Sequence, residues 1–368
     1  MDKMKRYLDC YIPTETCNFK CHYCYIAQHN QFSNKIVKFE HSPEFIAKAL
    51  SKERLGGTCL INLCAGGETL IAEEVIEVTK EILKQGHYVM IVTNGSLTKR
   101  FEKIAEFPKD LLKHLFFKFS FHYQELVRLK MLDRYFENVK MMQRAGASFT
   151  IEITPSDELE PYIDEIKNVM IEKMGALPHI TIGRKDMDEI PPLTNHEFKD
   201  YLDIWKQFDS DLMDFKKDIF GKKRTEFCYA GEWSCYLNLV TGDLRQCYCG
   251  IKLDNIYKDI NKPIKFLPIG CNCTQPHCYN GHSFLSFGDI PEMKTPTYDK
   301  LRNRVQSNGI EWLQPEMKAF MQSKLVESNK EYNEEEKKKI NKKNLKYIKI
   351  QKINTKLKNI IKGKLKNE

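Results

Sequence analysis

Three cysteines lie within Thr16-Cys17-Asn18-Phe19-Lys20-Cys21-His22-Tyr23-Cys24-Tyr25. Their gaps of three and two residues put three thiolates within reach of one inorganic centre. No fourth cysteine follows in the loop, so one coordination position is left to something other than protein. Iron–sulfur clusters are held by cysteine thiolates, usually four, and a cubane with three is an open site. Zinc is the competing reading, because Cys-x2-Cys is also half of a zinc ribbon. A structural zinc closes at four ligands, however, and the next cysteines, Cys59 and Cys64, fall in an apolar run that reads as a strand.

With Tyr23 as the aromatic residue, Cys-x3-Cys-x-aromatic-Cys resembles the signature of the radical S-adenosylmethionine family. The resemblance implies that the open iron binds the amino and carboxylate groups of S-adenosylmethionine. One strand later comes Ala65-Gly66-Gly67-Glu68-Thr69. Two glycines allow close backbone approach to a ligand and a carboxylate accepts hydrogen bonds from an ammonium group. This run resembles the family's Gly-Gly-Glu-Pro motif, which holds the methionyl amino group, with Thr69 in place of proline. Phe119-Ser120-Phe121-His122 puts Ser120 and His122 on one face of a strand end. Family members use polar groups there for the ribose or the methionyl carboxylate, which makes Ser120 a candidate. His122 is divided between substrate contact and strand-end hydrogen bonding. Glu152, Thr154 and Arg184 could contact cofactor or substrate, Arg184 suiting a carboxylate, whereas Asn94-Gly95 reads as a loop with Gly95 at positive φ.

A second cysteine field holds Cys228, Cys235, Cys247, Cys249, Cys271, Cys273 and Cys278. The spacing Cys228-x13-Gly242-x4-Cys247 resembles the opening of the SPASM/Twitch extension, which carries auxiliary 4Fe-4S clusters. Seven thiolates cannot fully ligate two cubanes, so one auxiliary cluster is expected, held by Cys228, Cys247, Cys271 and Cys273, with Cys235 as an alternative. A structural zinc knuckle has the same coordination count. Ligation by Cys249 and Cys278 is left open.

The elements that must position these residues alternate along the chain. Strands are expected at Tyr7–Ile12, Thr58–Cys64, Tyr88–Thr93, Leu115–Phe121, Phe149–Thr154 and His179–Gly183. Helices are expected from Ser42 to Glu53, Ala72 to Lys84, Leu132 to Arg144 and Pro161 to Lys173, and the 297–321 stretch reads as an interrupted helix. Strand–helix repeats imply α/β architecture with a parallel sheet, and the resemblance implies a partial (βα)6 barrel with its chemistry at the C-terminal strand ends. The expected division is a barrel over 1–190, a helical connection over 191–225, a small cysteine-rich α+β domain with a β-hairpin over 226–290, a helical segment over 291–336, and a lysine-rich tail over 337–368.

Hydrophobic content of 42% over 368 residues supports a full core. Clustered cysteines without an N-terminal apolar stretch read as metal ligation in a reducing, cytoplasmic setting rather than as a secreted disulfide scaffold. Residues 337–368 hold thirteen lysines and one acid, so the chain's net +8 leaves the first 336 residues at −4. Basicity is confined to the tail, and nucleic-acid binding by the body is not expected. Leu345, Ile348, Ile353, Leu357, Ile360 and Ile361 recur at near-helical intervals in that tail, which suits either peripheral contact with an anionic membrane or a solvated segment.

The family resemblance implies reductive cleavage of S-adenosylmethionine to a 5'-deoxyadenosyl radical that takes hydrogen from an unactivated carbon, fed by a flavodoxin- or ferredoxin-type donor. The expected substrate is a carbohydrate or other small molecule, in a dehydrogenase or epimerase reaction, since strand one begins within the first residues and the body is acidic. The alternatives are a peptide maturase acting on a precursor peptide and a non-catalytic iron–sulfur electron carrier.

Overall fold

The computed structural model describes residues 2–364, and its side chains are described through residue 350. Nine strands form one sheet in the order β6-β5-β4-β3-β2-β1-β7-β8-β9. They are β1 (Arg6–Ile12), β2 (Cys59–Ala65), β3 (Tyr88–Thr93), β4 (Leu115–Ser120), β5 (Ser148–Ile153), β6 (His179–Ile180), β7 (Ser234–Asn238), β8 (Asp243–Arg245) and β9 (Lys252–Asn255). β1 to β6 are parallel in chain order, and β7 joins the free side of β1, also parallel, with Tyr7 opposite Ser234. β7, β8 and β9 continue antiparallel. The hairpin expected in a separate small domain is therefore an extension of the barrel sheet.

The connecting helices cover the outer face. Ser42 caps the helix Pro43–Ala49 by accepting from the Phe45 N–H at 3.3 Å, with proline at the first helical position. That helix stops at Leu50 and a second short one, Lys52–Leu55, follows, so the single helix expected over this stretch is two. Glu74–Lys84 buries Val75, Ile76, Val78, Ile82 and Leu83. Helices at Thr98–Ala105 and Tyr123–Arg128 were not expected. β6 is two residues long, shorter than expected, because β5 is its one partner in the sheet. The 297–321 stretch is irregular up to the helix Pro315–Gln322.

The inner face carries the polar residues. Asp9 of β1, Lys118 of β4 and Tyr236 of β7 line one cavity although five strands run from β4 to β7 in the sheet order. Neighbouring strands are about 4.8 Å apart, so a flat sheet would hold Lys118 and Asp9 well out of each other's reach. The sheet curls around the cavity as an unclosed barrel; β1 and β6 do not pair.

Candidate active site

The three-cysteine loop follows β1 and is seated on the turns after β2 and β3. Backbone pairing continues past the strands: the N–H groups of Gly66, Gly67 and Glu68 donate to the carbonyls of Ile12, Thr14 and Thr16 at 3.2, 2.6 and 3.0 Å. A Cβ on Gly67 would overlap the Thr16 carbonyl, and one on Gly66 would stand 2.9 Å from the Tyr25 hydroxyl. The close approach that these glycines allow is thus to the cysteine loop itself. Tyr25 adds a hydrogen bond from its hydroxyl to the Gly66 carbonyl.

Glu68 is buried below this seam. It accepts from the Thr93 hydroxyl at 2.7 Å, the Asn94 N–H at 2.7 Å and the Leu70 N–H at 3.0 Å. Burial raises its pKa and these three donors oppose the rise. A carboxylate has about four lone-pair sites, so one acceptor position remains. Asn94, read from sequence as a loop residue, ties the strand ends to the cluster loop: its amide donates to the Asn18 side chain at 2.8 Å and approaches the Cys17 sulfur at 3.9 Å. Gly95 does take positive φ, +73°, where a Cβ would meet the Tyr135 ring.

Cys17, Cys21 and Cys24 line a cavity of about 160 Å3 with Gly66, Gly67, Glu68, Asn94, Ser120 and His122. Tyr23 lies outside this lining and its hydroxyl pairs with His122 Nδ1. Burial pushes the Cys17 thiol up to about 11, aided by Glu68 and Cys24, and raises Cys21 and Cys24 as well. Such thiols are neutral until a metal displaces their protons. Around a tetrahedral zinc, thiolate sulfurs stand about 3.8 Å apart. Among the described residues, the one set of three His, Cys, Asp or Glu ligand atoms mutually within 4.8 Å is Asp157, Glu160 and His196. Neither cysteine field is gathered as tightly as one ion requires. A buried and two half-buried thiols around one cavity, with the buried Glu68 carboxylate and the Gly66-Gly67 turn in the same lining, fit an open iron–sulfur cluster and its amino-acid ligand.

The smaller cavity shares Cys64, Ala65 and Val92 with a second one of about 860 Å3 at the barrel centre. Its walls include Asp9, Asn62 and Lys118 from the strands, Arg184 and Asp186 after β6, and Tyr248, Thr274, Tyr279 and His282 from the cysteine-rich segment. Burial lowers the Lys118 pKa to about 7 and that of His122 to about 4. Glu152 is bound to Lys118 at 3.0 Å and to Arg302, and so is committed within the protein. Thr154 lines neither cavity. Lys118, Asp9 and Asn62 escaped the sequence reading, although each is a polar residue inside an apolar strand and each sits at an inner position of the two-residue period.

Beyond Tyr248, Cys228, Cys247, Cys249, Cys273 and Cys278 pack on one apolar cluster. The thiols of Cys247 and Cys249 are in contact, as are those of Cys249 and Cys273. Burial raises the Cys228 thiol, with Asp289, Cys278 and Cys273 adding to the rise, and burial and Cys273 raise that of Cys278. Cys271, expected among the ligands, is exposed, and its sulfur meets the Asn341 amide at 3.5 Å. Cys235 is buried in β7, opposite Leu8 of β1. Cys249 and Cys278 pack on the same apolar cluster as Cys228, Cys247 and Cys273, whereas Cys271 is exposed and Cys235 belongs to the barrel core.

The lysine-rich tail is a helix, Glu334–Lys364, whose first turns dock on this region. Ile340 packs on the same apolar cluster, and the buried Asn344 donates to the Pro268 and Ile269 carbonyls. Leu345 is exposed; the side chains of Ile353, Leu357, Ile360 and Ile361 lie outside those described. No described helix is long and apolar enough to cross a membrane.

Residues 11–167 match the Radical SAM superfamily. No curated protein matches the chain significantly. Among solved structures, the chain is similar to Streptococcus suis SuiB bound to S-adenosylmethionine, at 13% identity and a TM-score of 0.49, over 70% of this chain and 64% of that one. It is also similar to anSMEcpe with bound AdoMet and the Cp18Cys peptide, at 16% identity and a TM-score of 0.45, over 69% of this chain and 78% of that one. The chain thus spans 64% of the length of SuiB.

Proposed function

From the premise that residues 11–167 are a radical SAM domain, of a family that works with a 4Fe-4S cluster and S-adenosylmethionine, we propose an enzyme that generates a 5'-deoxyadenosyl radical beside the barrel cavity and removes hydrogen from a small molecule held there. When bound, the cluster supplies the electron that breaks the sulfonium carbon–sulfur bond. Cys17, Cys21 and Cys24 would hold it. Glu68, Gly66 and Gly67 would take the methionyl end, with Ser120 nearby. The observation that supports the reading is the shared lining of Cys64, Ala65 and Val92, which sets the three-cysteine pocket directly beside the 860 Å3 cavity, a size suited to small ligands. The curled sheet and the 184–190 and 274–283 segments line that cavity.

Four of the five thiols of Cys228, Cys247, Cys249, Cys273 and Cys278 would hold one auxiliary cluster, and Tyr248, between Cys247 and Cys249 in the chain, stands on the cavity wall. A cluster held there would supply an acceptor for a substrate electron, which suits an oxidative outcome.

The test is anaerobic reduction with S-adenosylmethionine and assay of 5'-deoxyadenosine. The full chain is expected to form it, and the Cys17→Ala, Cys21→Ala, Cys24→Ala triple variant to form none while keeping about four irons in the second field. Wild-type cleavage by the triple variant overturns the proposal.

A further inference from the structure

The large cavity has a charge pattern that hydrogen abstraction alone does not require. Lys118 and Arg184 line it. Arg302 is fully buried behind Lys118, sharing Glu152 with it. Lys216, also buried, donates to the carbonyl of the wall residue Tyr279 at 2.8 Å. One carboxylate therefore serves two of these four cations.

The other inner acid does not restore the balance. Asp9 accepts from the Asn62 amide at 2.8 Å and from the Tyr248 hydroxyl, and burial favours its protonated form. Arg184 lies over the Tyr279 ring at 4.5 Å and meets the Asn280 side-chain oxygen at 3.5 Å, with no carboxylate of the described residues paired to it. At the opening, Asp186 is paired with His29 at 2.9 Å and Asp188 is exposed. His282 lines the same wall with its Nδ1 buried and without a partner. Arg184 and Lys118 each depress the protonation of Lys216, and Arg184 that of Lys118, after burial itself. Buried like charges are costly unless something of opposite sign joins them.

We propose that the substrate carries an anionic group, a carboxylate or a phosphate, which docks between Lys118, Arg184 and His282 and so turns the rest of the molecule toward Cys64 and Val92. This rests on the reading of the cavity as the substrate site. Arg184 supplies a planar fork suited to either anion, and a neutral His282 still offers one N–H. The tyrosine faces of Tyr11, Tyr236 and Tyr279 bound the space for the remainder. Anchoring one end fixes which carbon faces the shared boundary between the cavities, which is positioning of the kind that radical chemistry needs for selectivity.

The experiment uses the full chain with its clusters reconstituted and compares three small probes by calorimetry: benzoate, phenyl phosphate and the neutral benzamide. At least one anion is expected to bind tenfold or more tightly than benzamide, and the tighter of the two identifies the group. Arg184→Gln and Lys118→Met are expected to bring the preference to within about twofold, and Arg184→Lys to keep part of it, with folding checked by circular dichroism. Equal binding of all three probes to the wild type, or a preference that survives both neutralising variants, overturns the proposal. Formation of 5'-deoxyadenosine by the same wild-type preparation is read separately. Cleavage without anion preference removes the anion site alone, and anion preference without cleavage removes the enzyme reading alone.

Discussion

Glu68 shows how much one carboxylate holds together. Its donors come from its own turn and from Thr93 and Asn94, so it joins the ends of β2 and β3 while lining the pocket with one acceptor position left. Glu68→Gln puts an amide N–H where donors already point. It is expected to weaken S-adenosylmethionine binding roughly ten- to a hundredfold, the equivalent of about 1.5 to 3 kcal/mol, with iron content retained. Equilibrium binding and iron analysis check both. Gly67→Ala is a harsher change, because the new methyl group would enter the Thr16 backbone. Loss of iron from the first field and a lower Tm are expected, read by iron analysis and thermal melting. The residue types of this pocket were legible in the sequence, since cysteine spacing and a Gly-Gly-Glu turn are local signals. The convergence of Cys249 and Cys278 with Cys228 was not, because it depends on how the 252–270 stretch folds back. Nor was the exposure of Cys271, whose N–H is held at 2.9 Å by Asn341 from far along the chain.

At the scale of elements, five of the six expected barrel strands stand within a residue or so of their expected bounds, since buried parallel strands are short apolar runs between polar turns. The missed helix Thr98–Ala105 carries only Phe101 and Ile104 to the core among charged residues. Its signal is weak because few of its side chains are buried. His87 links two elements that the sequence did not connect: its Nδ1 accepts from the Cys59 N–H at 3.1 Å and its Nε2 donates to the Leu50 carbonyl at 2.7 Å. Burial lowers its pKa from 6.5 to about 4. The unfolded chain therefore binds a proton first on acidification. The stability that the neutral ring contributes is full above pH 6.5 and is lost as pH falls toward 4, by about 3 kcal/mol at most. Denaturant titrations at pH 7 and pH 4.5 are expected to show a smaller drop in His87→Gln than in the wild type.

For the whole molecule, the C-terminal helix is a structural part up to Asn344 and a charged projection beyond. Truncation after Glu336 removes Ile340, Asn341 and Asn344 from the cysteine-rich segment, and loss of iron from the second field is expected. Truncation after Ile350 should spare that iron. We propose that the distal lysines contact anionic membranes, and co-sedimentation with phosphatidylserine vesicles, comparing the full chain with the chain ending at Ile350, tests it: equal pelleting removes the tail from membrane contact.

The pairing of β1 with β7 also sets an order of events. Tyr7 cannot find its neighbour Ser234 until more than two hundred further residues have been synthesised. Until then one side of the first strand is an unsatisfied template for other chains. Contacts of such sequence separation form slowly. The first 190 residues, which contain the whole three-cysteine motif, are therefore expected to aggregate when made alone, and insertion of iron into the first field must either wait for β7 or proceed on a barrel that still has an open seam beside it.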